Sequence, residues 1–190
     1  MDARIRYSKM MIKNSFIRLL RDKPLSKITV TAICESADIN RATFYKYYTS
    51  PVDLLQKMEA EIIFDLQKIS ESINADNMTE LLIALLNKAK ENGELYTALF
   101  SEHGDSDFVN RVFSLCYQAT QAKFVDLLPS LTQAQQEWFY CFLLQGGSGI
   151  MYNWVRGGMK EEPLEVAQFI TRLTLTLLGA LCPGAGLPPA

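Results

Sequence analysis

The sequence predicts an all-α protein. Apolar residues recur at helical spacing almost throughout the 190 residues, whereas the period-two alternation of a half-buried strand does not persist over any useful length. At 48% hydrophobic residues the chain is also long and apolar enough to bury a proper core, which sets disorder aside.

A first helix is expected from about Arg4 to Asp22, with Ile5, Ile12, Phe16, Leu19 and Leu20 on one stripe and Arg4, Lys9, Lys13 and Arg21 elsewhere. Lys23-Pro24 ends it, because proline disfavours helical backbone in the residue before it. Two short helices follow. Val30 to about Ala37 is capped by Thr29, and Arg41 to Tyr48 is capped by Asn40. A fourth helix begins with Ser50 as cap, Pro51 at the first position and Asp53 in the capping-box position. Its stripe of Leu55, Met58, Ile62, Leu66, Ile69 and Ile73 keeps three-four spacing for about five turns.

Asn74-Ala75-Asp76-Asn77 breaks that helix, and further helices are expected at about 78–92, 94–102, 106–128, 133–156 and 163–182. Gly157-Gly158 stops the penultimate one and Pro163 starts the last. The domain reading is a module over 1–50, a helical body over 51–182, and a mobile tail over 183–190, whose Pro183, Gly184, Gly186, Pro188 and Pro189 oppose any helix.

The net charge of −2 conceals an asymmetry. The first fifty residues carry ten Lys/Arg and four Asp/Glu, about +6, and the remainder carries about −8. A nucleic-acid-binding module on an acidic body has this form, since phosphates need local cations rather than a basic average. The four cysteines, Cys34, Cys116, Cys141 and Cys182, are widely spaced inside apolar segments and read as reduced core residues. With them, the lone His103 matches no metal-ligand spacing, so no metal and no cofactor are expected. No run of eighteen apolar residues and no apolar N-terminal signal stand in the sequence, so a cytoplasmic protein with no membrane partner is expected.

Residues 29–48 hold the most specific pattern: two capped short helices joined by a turn after Ala37, as in DNA-binding helix-turn-helix units. Ile33, Ala37, Ile39, Phe44 and Tyr48 supply its core, and Asp38 stands where left-handed backbone is wanted. With Phe44 and Tyr48 inward, the third helix presents Arg41, Ala42, Thr43, Tyr45, Lys46 and Tyr47, a face with no acid. In a major groove Arg41 suits a bidentate pair to guanine, and Ala42 and Thr43 suit a base edge or a thymine methyl group. Tyr45, Lys46 and Tyr47 suit phosphates, joined by the amides at the two helix starts, where Thr29, Thr31 and Asn40 stand. The alternative is a cationic aromatic helix that only packs on its neighbours.

Over about residues 8–60 the chain resembles the TetR family of bacterial regulators. That signature is a threonine-capped helix, an Ala-Gly-Val turn and a recognition helix of the form Ser-x-Gly-Thr-Leu-Tyr-x-His-Phe. Thr29, Ile33, Ala37, Ile39, Thr43, Phe44, Tyr45 and Tyr48 match it, as do Leu54 and Leu55. The resemblance implies that Tyr45 and Tyr47 bind phosphates, that Arg41 to Thr43 read bases, and that the chain is a homodimer on a palindromic operator. Asp38 replaces the usual glycine, Tyr47 the usual histidine, and Pro51 a phosphate-binding lysine. The segment from Phe142 through Trp154 to Leu164 also resembles a TetR subgroup that includes regulators of dihydroxyacetone kinase operons.

Beyond this module the last two long helices are apolar on more than one face, through Trp138, Phe139, Phe142, Leu143, Ile150 and Trp154, then Phe169, Ile170, Leu173, Leu177, Leu178 and Leu181. Such helices need a second partner. In the family this is the dimer interface, where glycines 146, 147 and 149 would permit close backbone approach; a loop or kink is the alternative. A small-molecule pocket is expected where Tyr96, Phe100, His103, Phe108, Phe113 and Tyr117 meet Phe142 and Gln145, the alternative being plain core. Its lining suits a neutral or mildly amphipathic effector. The function expected is a repressor released from DNA by that effector. The alternatives are an activator or co-activator of the same fold, an all-α enzyme lacking any nucleophile motif in support, and a module for an acidic protein partner.

Overall fold

The computed structural model describes residues 3–72, 78–103, 108, 110–112, 114, 128 and 131–181. Within these residues all regular structure is helical: α1 (Ala3–Asp22), a 3-10 turn (Leu25–Lys27), α2 (Val30–Ala37), α3 (Arg41–Tyr45), α4 (Pro51–Ser72), α5 (Met78–Glu91), α6 (Gly93–Leu99), α7 (Gln133–Arg156) and α8 (Pro163–Leu181). Ile73, the expected break at 74–77, most of the expected helix over 106–128, Cys116, Cys182 and the tail over 183–190 lie outside the described residues. Two compact units result, Met1–Ile63 with Glu94–Ser106, and Phe64–Gly93 with Asp107–Ala190.

In the first unit α1 buries Ile12, Phe16, Ile17 and Leu20, four positions on one face of the helix. The helix stops before Pro24, whose extended backbone leads into the 3-10 turn. This turn was not legible in the sequence, because Leu25-Ser26-Lys27 carries no cap or glycine signal. Ile33 and Ala37 of α2, Phe44 of α3, Tyr48, and Leu54, Leu55, Met58 and Ile62 of α4 are buried, as are Tyr96, Leu99 and Phe100. Lys13 of α1 pairs with Glu61 of α4 across this unit.

In the second unit α5 packs along α8 and buries Leu81, Leu82, Leu85, Leu86 and Ala89. Thr79 donates to Thr171 at 3.0 Å, and Lys90 and Glu162 pair at 2.8 Å. A capping box starts α7, with Gln135 N–H donating to Thr132 Oγ1 and Thr132 N–H to Gln135 Oε1. The helix then runs unbroken through Gly146, Gly147 and Gly149, so these glycines do not open a loop. It ends where Gly158 and Met159 turn left-handed, at φ 89° and 53°, and Trp154 Nε1 donates to Glu161 O at 3.1 Å, tying the turn to the helix.

Two apolar stripes of this unit stay uncovered: Trp138 and Phe142 on α7, and Phe169 and Leu173 on α8. By length and composition α8 is apolar enough to cross a membrane, but it buries Val166, Ala167, Ile170, Thr174 and Leu178 on the adjoining face. One cysteine departs from expectation. Cys34 is buried, whereas Cys141 is exposed on the uncovered stripe of α7, one turn from Trp138.

Candidate nucleic-acid interface

The site is built on α2, the turn and α3. Thr29, in extended backbone, accepts from Ala32 N–H at 3.1 Å and so starts α2. The helix closes as a Schellman motif. Ile39 N–H donates to Cys34 O at 3.0 Å and Asp38 N–H to Glu35 O at 3.4 Å, with Asp38 itself left-handed at φ 51°. Asn40 then caps α3, its Oδ1 accepting from Thr43 N–H at 2.8 Å and from the Thr43 hydroxyl at 3.0 Å. Both caps thereby occupy amides that the sequence reading offered to phosphates.

Regular helix in α3 ends at Tyr45, three residues short of expectation. Tyr47 N–H and Tyr48 N–H both donate to Phe44 O at 3.0 Å, a tightened last turn that swings Tyr48 inward. Phe44 and Tyr48 are buried with ring centres 5.6 Å apart. Arg41, Ala42, Tyr45 and Lys46 are exposed on the other side, Tyr45 at 57%, and Thr43 and Tyr47 are half-buried. Of the residues expected to meet DNA, these six therefore share one short segment. Thr31 lies on α2, half-buried, and its hydroxyl accepts from Arg41 Nη2 at 2.6 Å.

Two further lysines reach this region from outside the motif. Lys9 of α1 sits over the Tyr47 ring, 5.4 Å from its centre. Lys57 of α4 donates to Tyr47 O at 2.9 Å and pairs with Asp53 at 3.0 Å. Lys9 escaped the sequence reading because only tertiary packing brings α1 against the end of α3; its signal was its place off the apolar stripe.

The start of α4 is built as expected in kind but not in detail. Ser50 Oγ accepts from Asp53 N–H at 3.1 Å, while the Asp53 carboxylate reaches past the cap to accept from Thr49 N–H at 2.8 Å. That backbone donor, with Lys57, holds the Asp53 carboxyl below its usual range. Burial, with Glu61 and Asp53 nearby, pushes the Tyr48 phenol up to about 12. Burial also raises the Cys34 thiol, against the pull of Arg41.

The residues expected to line a ligand pocket are divided between the two units. Tyr96 and Phe100 are buried side by side, ring centres 6.0 Å apart, in the first unit, and His103 is half-buried. Phe108 is buried, and Phe113 and Tyr117 lie outside the described residues. Phe142 is 61% exposed and Gln145 is exposed on the same stripe of α7. A groove of about 940 Å³ does open in the second unit, lined by Thr79, Asn153, Trp154, Lys160, Phe169 and Arg172 among others.

A family profile described as a transcriptional regulator C-terminal region matches residues 76–176. No curated protein matches the chain. Among solved structures, a TetR transcriptional regulator from Streptococcus agalactiae 2603V superposes with a TM-score of 0.65 at 24% identity, over 91% of this chain and 96% of its own. The dihydroxyacetone kinase operon activator DhaS gives 0.60 at 18%, over 91% and 97%. The fatty acid degradation regulator FadR from Bacillus halodurans gives 0.59 at 12%, over 92% and 96%. At such identities the likeness is one of fold.

Proposed function

The chain belongs to the TetR family of transcriptional regulators, and from that premise we propose that it is a cytoplasmic homodimeric repressor, released from a palindromic operator by a small molecule. One observation carries the DNA-binding part of this reading. Arg41, Ala42, Tyr45 and Lys46 project from a segment whose other side, Phe44 and Tyr48, is buried, and the acid-free face is held by the caps at Thr29 and Asn40. In this reading Arg41, Ala42 and Thr43 meet base edges, and Tyr45, Lys46 and Tyr47 meet phosphates, with Lys9 adding a cation beside Tyr47.

The module of 1–50 carries the DNA contacts, and the body over 51–182 carries effector and dimer surfaces. Two recognition segments meet successive major grooves only when about 34–36 Å apart. The uncovered stripes of α7 and α8 support dimerisation through the last two helices, and a Cβ built on Gly146 or Gly149 meets nothing within 4 Å, which leaves room for a partner's backbone. The effector is assigned to the aromatic stretch of Tyr96, Phe100 and His103, where two buried rings lie 6.0 Å apart, a lining that favours a neutral or mildly amphipathic ligand. A modest rigid-body change on ligand binding then breaks the groove spacing.

The test is selection of genomic fragments by the purified protein at physiological salt. A short palindrome bound at least about a thousandfold more tightly than bulk DNA is expected; recovery of no sequence would overturn the reading. A second reading, activation, is favoured by the fold likeness to DhaS together with the resemblance of Phe142 to Leu164 to that subgroup. In vitro transcription from the selected site separates the two by the sign of the change.

A further inference from the structure

The hydroxyls of Thr29, Thr31 and Thr43 and the side-chain oxygen of Asn40 each have an internal partner, and the task of Thr31 differs in kind from the rest. Thr29 and Asn40 hold helix starts, and the Thr43 hydroxyl is spent on Asn40. Thr31, at the second position of α2, holds no backbone group. It accepts from the guanidinium of Arg41 at 2.6 Å, a bond that crosses from one helix to the next.

We propose that Thr31 is the positioning residue of Arg41: it sets the plane in which the guanidinium is offered to a base pair, and governs base preference without touching DNA. This rests on the reading of Arg41 as a base contact given above. An exposed arginine has many rotamers, and each one lost on binding weakens the complex. A bidentate pair to one base further demands that the planar fork arrive in a single orientation. Arg41 is exposed and has no carboxylate partner among the described residues, so the Thr31 bond restrains its direction. One Nη2 hydrogen is used, and the remaining N–H groups of the fork stay available for a base edge. Because the anchor stands on α2, the orientation follows the angle between the helices, which the Schellman turn at Asp38 defines.

The proposal separates from direct phosphate contact by Thr31 through a double-mutant cycle in the full chain, on the duplex that wild type enriches from a random library. Thr31→Ala is expected to lose about tenfold on that duplex and to relax preference at the same base pair that Arg41→Ala relaxes. Thr31→Ser, which keeps the hydroxyl, retains affinity and preference. In an Arg41→Ala background, Thr31→Ala changes affinity by less than about twofold. Thr31→Val, which keeps shape without the hydroxyl, reproduces the Thr31→Ala result and guards against a packing effect. An undiminished Thr31→Ala loss in the Arg41→Ala background, equal on all sequences, would overturn the proposal in favour of a phosphate contact. Wild-type affinity and preference in both Thr31→Ala and Thr31→Val would overturn it as well. Failure of wild type to enrich any sequence is a separate result, read in the wild-type arm alone, and would remove the functional reading together with this inference.

Discussion

Tyr45 and Tyr48, three residues apart, face opposite ways: one is exposed and the other buried against Phe44. That division assigns each tyrosine its own test. Tyr45→Phe removes a hydroxyl aimed outward and is expected to weaken binding to all sequences alike, measured by titration of selected and scrambled duplexes. Arg41→Ala, in contrast, is expected to cost about 1–3 kcal/mol on the selected duplex and to relax one base position; equal losses on every sequence would reassign Arg41 to phosphate. Tyr48 is a matter of stability. Its phenol is pushed up to about 12 from an ordinary value of 10.0, so the folded state favours the neutral form. The stability this contributes is complete below about pH 10 and is lost as pH rises toward 12. Alkaline unfolding followed by circular dichroism is therefore expected to shift to higher pH in Tyr48→Phe.

Helix ends carry the next set of consequences. Asp38 takes a left-handed backbone, where an L side chain is strained and glycine is not. Asp38→Gly is expected to stabilise the chain by about 0.5–1 kcal/mol, less any entropy that glycine adds to the unfolded state, as read from the denaturant midpoint. An unchanged or lower midpoint would mean that the aspartate side chain contributes more to this turn than its strain costs. At the start of α4 the depressed Asp53 carboxyl contributes stability above the ordinary carboxylate range, and that contribution is lost as pH falls through its lowered value. Asp53→Asn is expected to flatten the acid limb of the stability profile without moving the alkaline limb. Its exposed position makes this a small effect.

Across the whole molecule the outstanding feature is apolar surface without a cover. Trp138 and Phe142 on α7 are 70% and 61% exposed, and Phe169 and Leu173 of α8 continue the pattern. A pair of such stripes on each protomer makes an isologous interface possible. Because these side chains are exposed in the single chain, charging one of them leaves its own core intact. Phe142→Glu is accordingly expected to keep the helical circular dichroism spectrum, to sediment as a monomer at micromolar concentration where wild type is a dimer, and to lose affinity for the full palindrome far more than for a half-site. A wild-type chain that sediments as a monomer would contradict the dimer reading directly.

The helical class and the caps at Thr29, Asn40, Ser50 and Thr132 concern neighbours within four residues, and such local chemistry is legible in sequence; only the last of them went unread. The left-handed turn at Asp38 and the inward pair Phe44 and Tyr48 were legible for the same reason. Tertiary structure alone decided the rest. That Lys9 lies over Tyr47 and that Thr31 holds Arg41 depend on elements meeting in space. Periodicity places a residue on a helix face but does not say what that face meets, which is why Phe142 and Gln145, expected in a pocket, stand on an open stripe. Helical period is set by backbone geometry within each segment, whereas the partner of each face is set by the packing of segments far apart in the chain.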